Sequence, residues 1–357
     1  MAKRVVRQRA ISTLHAQNSF RHAAAVPDSA GCQPRIQINE TVPSIGKKPL
    51  STFASYSEGH YFTHPMTYNR RHILSATLSS ALAGLADLAA AGTSKPMRRM
   101  PSIFVGHGSP MNVLGNNAFT RTLQQWGKDI GRPTAILVVS AHWLTQNETK
   151  VAVQARPRTI HDFNGFPQAL SDMQYPAPGA PEFARQAASL LAARGAKPSV
   201  DWGLDHGAWT VLHHMYPKAD VPVFQVSIDY GQDGEYHLSV GKALSALRDQ
   251  GVLILASGNV VHNLRHVDRN AADALMASRP WAQSFDSAVK AALLSNDAKA
   301  LASYERLDEG ARLGAQTPDH YWPLLYALGA ARDGEAPRFV YEGFQLGTLS
   351  MRCVQWG

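Results

Sequence analysis

The run Ala135-Ile136-Leu137-Val138-Val139-Ser140-Ala141-His142-Trp143 is a short apolar segment that ends in a histidine. The run Ala135–Ser140 reads as a strand with His142 just past its end. The same layout recurs on both sides of it. Ser102–Gly106 is followed by His107 within Gly106-His107-Gly108-Ser109-Pro110, and Val252–Ser257 leads through Gly258-Asn259-Val260-Val261 to His262. Further strands are expected at Val151–Ala155, Val223–Ile228 and Thr348–Val354. Helices are expected at Asn117–Gly127, Pro181–Ala193, Ala208–Met215, Tyr236–Gln250, Arg279–Leu294 and Pro318–Leu328. Short apolar runs alternating with helical patterns define an α/β layered fold. No internal repeat or low-complexity linker interrupts 100–357, which reads as one domain.

The chain has 357 residues with 35 Lys+Arg against 27 Asp+Glu, a formal net charge of +8. That balance raises nucleic acid as a partner, but the charge is unevenly placed. Residues 1–100 hold 13 of the basic and 4 of the acidic side chains, which leaves 22 and 23 for residues 101–357. The domain that carries the core is therefore close to neutral, without a basic stripe, and no nucleic-acid partner is expected. Hydrophobic residues at 45% and charged ones at 17% allow a sizeable core. Cys32 and Cys353 are too few and too far apart for a disulfide framework or a cysteine-based zinc site.

Residues 1–65 show no sustained periodicity and read as a disordered basic extension, or as the product of a start assigned too far upstream, with synthesis beginning at Met66. Residues 66–99 carry Arg70-Arg71, a modest apolar segment and then Leu88-Ala89-Ala90-Ala91-Gly92. This is the layout of a twin-arginine-type signal, with a surface amphipathic helix as the other reading. The expected location is then periplasmic, or cytoplasmic if the segment is not a signal. The run is too short and too diluted by Ser, Gly and Asp to form a stable membrane span.

In an open α/β sheet, ligands bind in the crevice beyond the carboxyl ends of the strands. Three strands that each lead into a histidine aim His107, His142 and His262 at one such crevice. His206, in Asp205-His206-Gly207, precedes a helix, with Asp205 available as its acceptor. Together these form a mononuclear His-rich site for one divalent metal per chain. Imidazole suits iron, zinc, copper and nickel alike, so a Lewis-acid hydrolase and an oxygenase both fit.

Several ordered motifs narrow that choice. They are Gly106-His107-Gly108-Ser109-Pro110-Met111-Asn112, Ser140-Ala141-His142-Trp143, Thr159-Ile160-His161-Asp162-Phe163-Asn164-Gly165-Phe166-Pro167, Tyr175-Pro176-Ala177-Pro178-Gly179, Asp205-His206-Gly207-Ala208-Trp209, Ala256-Ser257-Gly258-Asn259-Val260-Val261-His262-Asn263-Leu264 and Thr317-Pro318-Asp319-His320-Tyr321. From about Pro101 to Gly357 the chain resembles the DOPA 4,5-dioxygenase branch of the class III extradiol ring-cleaving dioxygenases. The resemblance implies a single α/β domain with a central, mostly parallel or mixed sheet and helices on both faces. It implies His107, His142 and His262 as metal ligands, the third in place of the carboxylate that protocatechuate-cleaving relatives use. It also makes His206 the active-site acid/base, sometimes counted as a fourth ligand. The expected metal is Zn2+ as bound or Fe2+ as the catalytically competent ion, and the expected partners are a small catechol and O2.

His161 and Asp162 are candidates for substrate contact, with a loop-stabilising hydrogen bond as the alternative. His320 opens a helix and either faces the pocket or complements that helix start. His213 and His214 match no motif and read as structural or solvent-facing, and Trp143 and Trp209 as pocket wall. The competing function is a zinc-bound hydrolase, or a homologue without oxygenase turnover, using the same histidines.

Overall fold

In the strand Ala135–Ser140 every residue is buried, and successive side chains enter different cores: Leu137 and Val139 join one cluster, Ile136 and Val138 the other. A strand buried on both faces needs helices above and below it. The computed structural model describes residues 98–271, 275–277 and 279–357. The expected extension over 1–65 and nearly all of the expected signal over 66–99 lie outside the described residues. A compact unit runs over Pro96–Gly357.

Among the described residues, six strands form the main sheet: β1 Ser102–Gly106, β2 Ala135–Ser140, β3 Val223–Gln225, β4 Val252–Gly258, β5 Arg338–Tyr341 and β6 Cys353–Trp356. Their spatial order is β3-β2-β4-β1-β6-β5. The first four are mutually parallel, whereas β6 pairs antiparallel with both β1 and β5. The sheet is therefore mixed, as expected. One face packs against α2 (Pro181–Leu190), α4 (Gly234–Leu244), α5 (Pro280–Leu294) and α6 (Trp322–Ala330). The opposite face packs against α1 (Ala118–Ile130) and α3 (His206–Met215). Helix α1 starts from a capping box in which Asn117 and Thr120 satisfy each other's backbone N–H groups. No helix of the described residues is long and apolar enough to cross a membrane.

Some expected elements are redrawn. The stretch Val151–Ala155 is a three-residue strand, Lys150–Ala152, that pairs with Lys197–Ser199 outside the main sheet. Thr348–Val354 divides into Leu349–Ser350, paired with Phe344–Gln345, and the start of β6. Edge strand β5 is not anticipated from sequence, because none of its residues is buried and its pattern lacks a clear apolar period.

Two buried ion pairs tie the periphery to this frame. Arg248, with a fully buried side chain, donates to the carbonyls of Met100, Ala330 and Trp356 and pairs with Glu335 at 2.7 Å. Arg352 pairs with Asp286 in α5, and Asp286 also accepts from the Ser350 hydroxyl at 2.6 Å. The chain before β6 is thereby anchored directly beneath Gly106, where a Cβ would collide with the Ser350 and Arg352 carbonyls.

Candidate active site

The registers Gly106↔Gly258 and Ser140↔Ser257 set the carboxyl ends of β1, β2 and β4 level with one another. The ladder runs one residue further, with His107 N–H donating to Gly258 at 2.9 Å and Ala141 N–H to Ser257 at 3.0 Å. His107 and His142 consequently leave adjacent strand ends in fixed directions, with their Nε2 atoms 3.4 Å apart. The third imidazole that converges on them is His320. The ligand atoms of His107, His142 and His320 all lie within 4.8 Å of one another.

His262 takes a different place. Its backbone is held by a hydrogen bond from its N–H to Gly314 at 2.7 Å, and its ring lies flat on His320 with centroids 3.6 Å apart and 5° between planes. His206 is the first residue of α3, and its ring centroid stands 3.8 Å from that of His142. All four histidines expected at strand or helix ends therefore reach one crevice. Two groups of ligand atoms converge within 4.8 Å among the described residues, the trio His107, His142 and His320 and a second of His142, Asp162 and His206, while the expected ligand His262 enters neither.

Polar groups stand beside these rings and, at His107 and His320, set the tautomer. The Ser257 hydroxyl donates to the Gly207 carbonyl at 2.6 Å, so it accepts from His107 Nδ1 at 2.9 Å and leaves His107 Nε2 with a lone pair. Asp319 Oδ2 lies 2.5 Å from His320 Nδ1. Asp162 Oδ2 lies 3.0 Å from His206 Nδ1 and 3.5 Å from His142 Nδ1, while its Oδ1 accepts the His206 backbone N–H at 2.9 Å. The expected pairing of Asp205 with His206 gives way to this arrangement. Asp205 instead caps α3 by accepting from Ala208 N–H, and also takes bonds from Ser140, Trp202 and Gln225. A capping side chain folds back over its own helix end and is not free to reach the ring that follows it.

Electrostatics keep the crevice ready for a cation. Burial, reinforced by the charges of His142, His320, His206 and His262, pushes His107 well below the ordinary imidazole value. Burial likewise lowers His142 and His262, in each case against the opposing pull of a carboxylate, Asp162 or Asp319. Burial opposes ionisation of Asp162, but the hydrogen bonds and charge of His206 outweigh it and hold that carboxyl below the usual range. Asp319 is held low in the same way by His320. Imidazoles whose Nδ1 faces an acceptor and whose Nε2 is left with a lone pair, as at His107, are suited to hold a divalent metal. The donor set fits such an ion without choosing between iron and zinc.

His161 gives its Nε2 to the Met173 carbonyl at 2.8 Å and packs its ring between Phe163 and Trp209. The bond ties down its loop, and the rings form a wall that reaches His206 through Phe163 at 5.7 Å. Trp143 and Trp209 are buried beside the site, Trp209 donating to the Ile160 carbonyl at 2.9 Å. His214 bonds the Asn112 carbonyl at 3.0 Å and serves the fold. Two contributors escape the sequence reading: Ser257, an ordinary strand residue by pattern, and Asp319, whose adjacency to His320 in sequence does not by itself place the two side chains face to face.

With the geometry described, comparison with known proteins decides the family. Residues 100–350 match the family described as "Catalytic LigB subunit of aromatic ring-opening dioxygenase". A curated Escherichia coli (strain K12) relative, "4,5-DOPA dioxygenase extradiol", is 49% identical over 265 residues, covering 72% of this chain and 95% of that one. The chain belongs to the extradiol ring-opening dioxygenases. A second relative of the same printed name, from Beta vulgaris, is 37% identical over 256 residues, covering 70% of this chain and 93% of its own. The crystal structure of an uncharacterized Escherichia coli K12 protein aligns with a TM-score of 0.63 at 43% identity, covering 72% of this chain and 100% of that one. As an extradiol dioxygenase, this chain is an oxidoreductase, and its imidazole trio is able to hold a metal ion.

Proposed function

We propose that this extradiol dioxygenase opens the ring of a DOPA-like catechol at the 4,5 bond, with His107, His142 and His320 holding one Fe2+. The observation that carries the ligand assignment is the convergence of those three imidazoles within 4.8 Å. The substrate class rests on the printed names of two relatives that this chain matches over nearly their whole length. Bound Fe2+ would supply Lewis acidity and a shared point of attachment for catechol and O2.

The remaining steps belong to this chain's side chains. A chelating catechol must give up two phenolic protons, and two imidazoles flank the trio to take them. His206, with Nδ1 turned to Asp162, presents Nε2 as one acceptor and later returns the proton to oxygen as the ring opens beside the two hydroxyls. His262, stacked on His320, is the other. Phe163, His161 and Trp209 form an aromatic wall against which the substrate ring lies. No further reductant is needed, because both oxygen atoms end in the opened product.

Residues 100–357 are the catalytic domain on this reading. Residues 66–99 are a twin-arginine-type signal that directs the folded enzyme to the periplasm, which the N-terminal sequence of the native protein tests. Oxygen uptake by Fe2+-loaded protein across a catechol panel, with appearance of a yellow product from DOPA, tests the function. Absence of uptake with every catechol refutes it. Metal analysis before and after Fe2+ replacement separates it from a zinc-bound hydrolase on the same histidines, since Zn2+ has no redox chemistry.

A further inference from the structure

We propose that Asp319 is a positioning residue that locks His320 in its metal-binding tautomer and lends the ring negative charge. This rests on the reading of His320 as a ligand. His320 closes a single tight turn, Pro318–His320, in which Tyr321 N–H returns to the Pro318 carbonyl at 3.0 Å. In that turn the consecutive side chains Asp319 and His320 face each other, Oδ2 to Nδ1, at 2.5 Å. The other described contacts of His320 are with its backbone and with the faces and edges of neighbouring rings. The Asn259 N–H donates to the His320 carbonyl at 2.8 Å, Gly258 leaves no Cβ against that carbonyl, and His262 covers one face.

Those contacts fix the plane of the ring but permit it to turn over about the Cβ–Cγ bond, which would swap a carbon for a nitrogen at the site. The Asp319 carboxylate removes that freedom, because only Nδ1–H can donate to it. Nε2 is then committed to the side where His107 and His142 stand. The Thr317 side chain also favours the ionised form of Asp319. The other two rings of the trio have weaker partners: His107 has the neutral Ser257 hydroxyl at 2.9 Å, and His142 has Asp162 at 3.5 Å. Asp319 is thus the closest anionic support in the trio.

The test uses the full chain and reads metal binding directly. Dissociation constants for Zn2+ and Co2+ are measured by chelator competition, together with the Co2+ absorption spectrum, for the parent and for D319N, D319E, T317V and H320A. D319N should bind both metals about 10–100-fold more weakly with an altered Co2+ spectrum, whereas D319E should recover most of the loss. T317V, which keeps the carboxylate but removes a group that favours its charge, should lose affinity by about 2–5-fold and carries the test if D319N does not fold. Affinity and spectrum of D319N, or failing that T317V, matching the parent while H320A loses metal would overturn the role of Asp319 and leave His320 a ligand. Unchanged metal affinity in H320A would overturn the ligand reading and this proposal with it.

Discussion

The imidazoles of His262 and His320 lie face to face, 3.6 Å between centroids and 5° from parallel, yet His320 is the one whose ligand atom converges with those of His107 and His142. Two stacked rings at one site have distinguishable roles. His320→Ala should lower divalent-metal affinity by about 100-fold or more, as loss of a direct ligand does, beyond the 10–100-fold typical of an outer partner. His262→Ala should retain metal and lose about 10²–10⁴ in turnover as a lost proton acceptor. Metal stoichiometry and O2 uptake on the two variants decide the matter. Loss of metal from His262→Ala with retention in His320→Ala would restore the ligand set expected from sequence.

Asp162 holds His206 at 3.0 Å and takes its backbone N–H as well. Asp162→Asn should keep the fold and the metal while lowering kcat by about 10²-fold, because His206 loses its charge partner. The pH profile of kcat should shift along with its height, which a purely structural role for Asp162 would not cause.

Metal-free protein should lose stability as the solution is made mildly acidic. His107, His142 and His262 are lowered by burial, so the unfolded chain binds protons that the folded one refuses. Their stabilising contribution is complete above the ordinary histidine value near about 6.5 and falls below it, by up to about 1.4 kcal/mol per pH unit for each group. Asp162 and Asp319 act in the same sense at lower pH. Held below the usual range, they stabilise the fold above about pH 4 and release that stability as pH falls through their folded values. Calorimetric melts of metal-free protein between pH 8 and pH 4, a range set about the reference histidine and carboxylate values, should show a steady fall in Tm that begins near pH 6.5. A Tm independent of pH would contradict the electrostatics of the crevice.

The strands that carry the site were legible because their signal is local: β1, β2 and the start of β4 read directly from apolar runs, as do His107 and His142 at their ends. The position of His320 was not, since it depends on a turn packed against Gly258 across 61 residues of intervening chain. A helix-opening histidine looks the same in sequence whether it faces a crevice or solvent. Asp162 was legible as a site residue through its motif, but its partner was not, because Asp205 is adjacent to His206 in sequence and Asp162 approaches only in three dimensions. Edge strand β5 was hidden by its partial exposure.

The Asp286–Arg352 pair is nearly fully buried, with side chains 5% and 4% exposed, and it anchors the chain that passes beneath the His107 loop. Asp286→Ala leaves a buried guanidinium with only Glu342 as its charge partner and strips Ser350 of its acceptor. The expected cost is about 3–5 kcal/mol in denaturant unfolding. Less than about 1 kcal/mol, the range of an exposed pair, would mean that water reaches this contact.

The most direct test of the account is O2 consumption by protein stripped of metal and reloaded with Fe2+, with DOPA as substrate. Stripped protein should take up no O2, Fe2+-loaded protein should take it up with a yellow product, and the His320→Ala variant should take up none under the same loading. Uptake by the stripped protein, or equal uptake by His320→Ala, would contradict the assignment of this crevice as a metal-dependent ring-opening site.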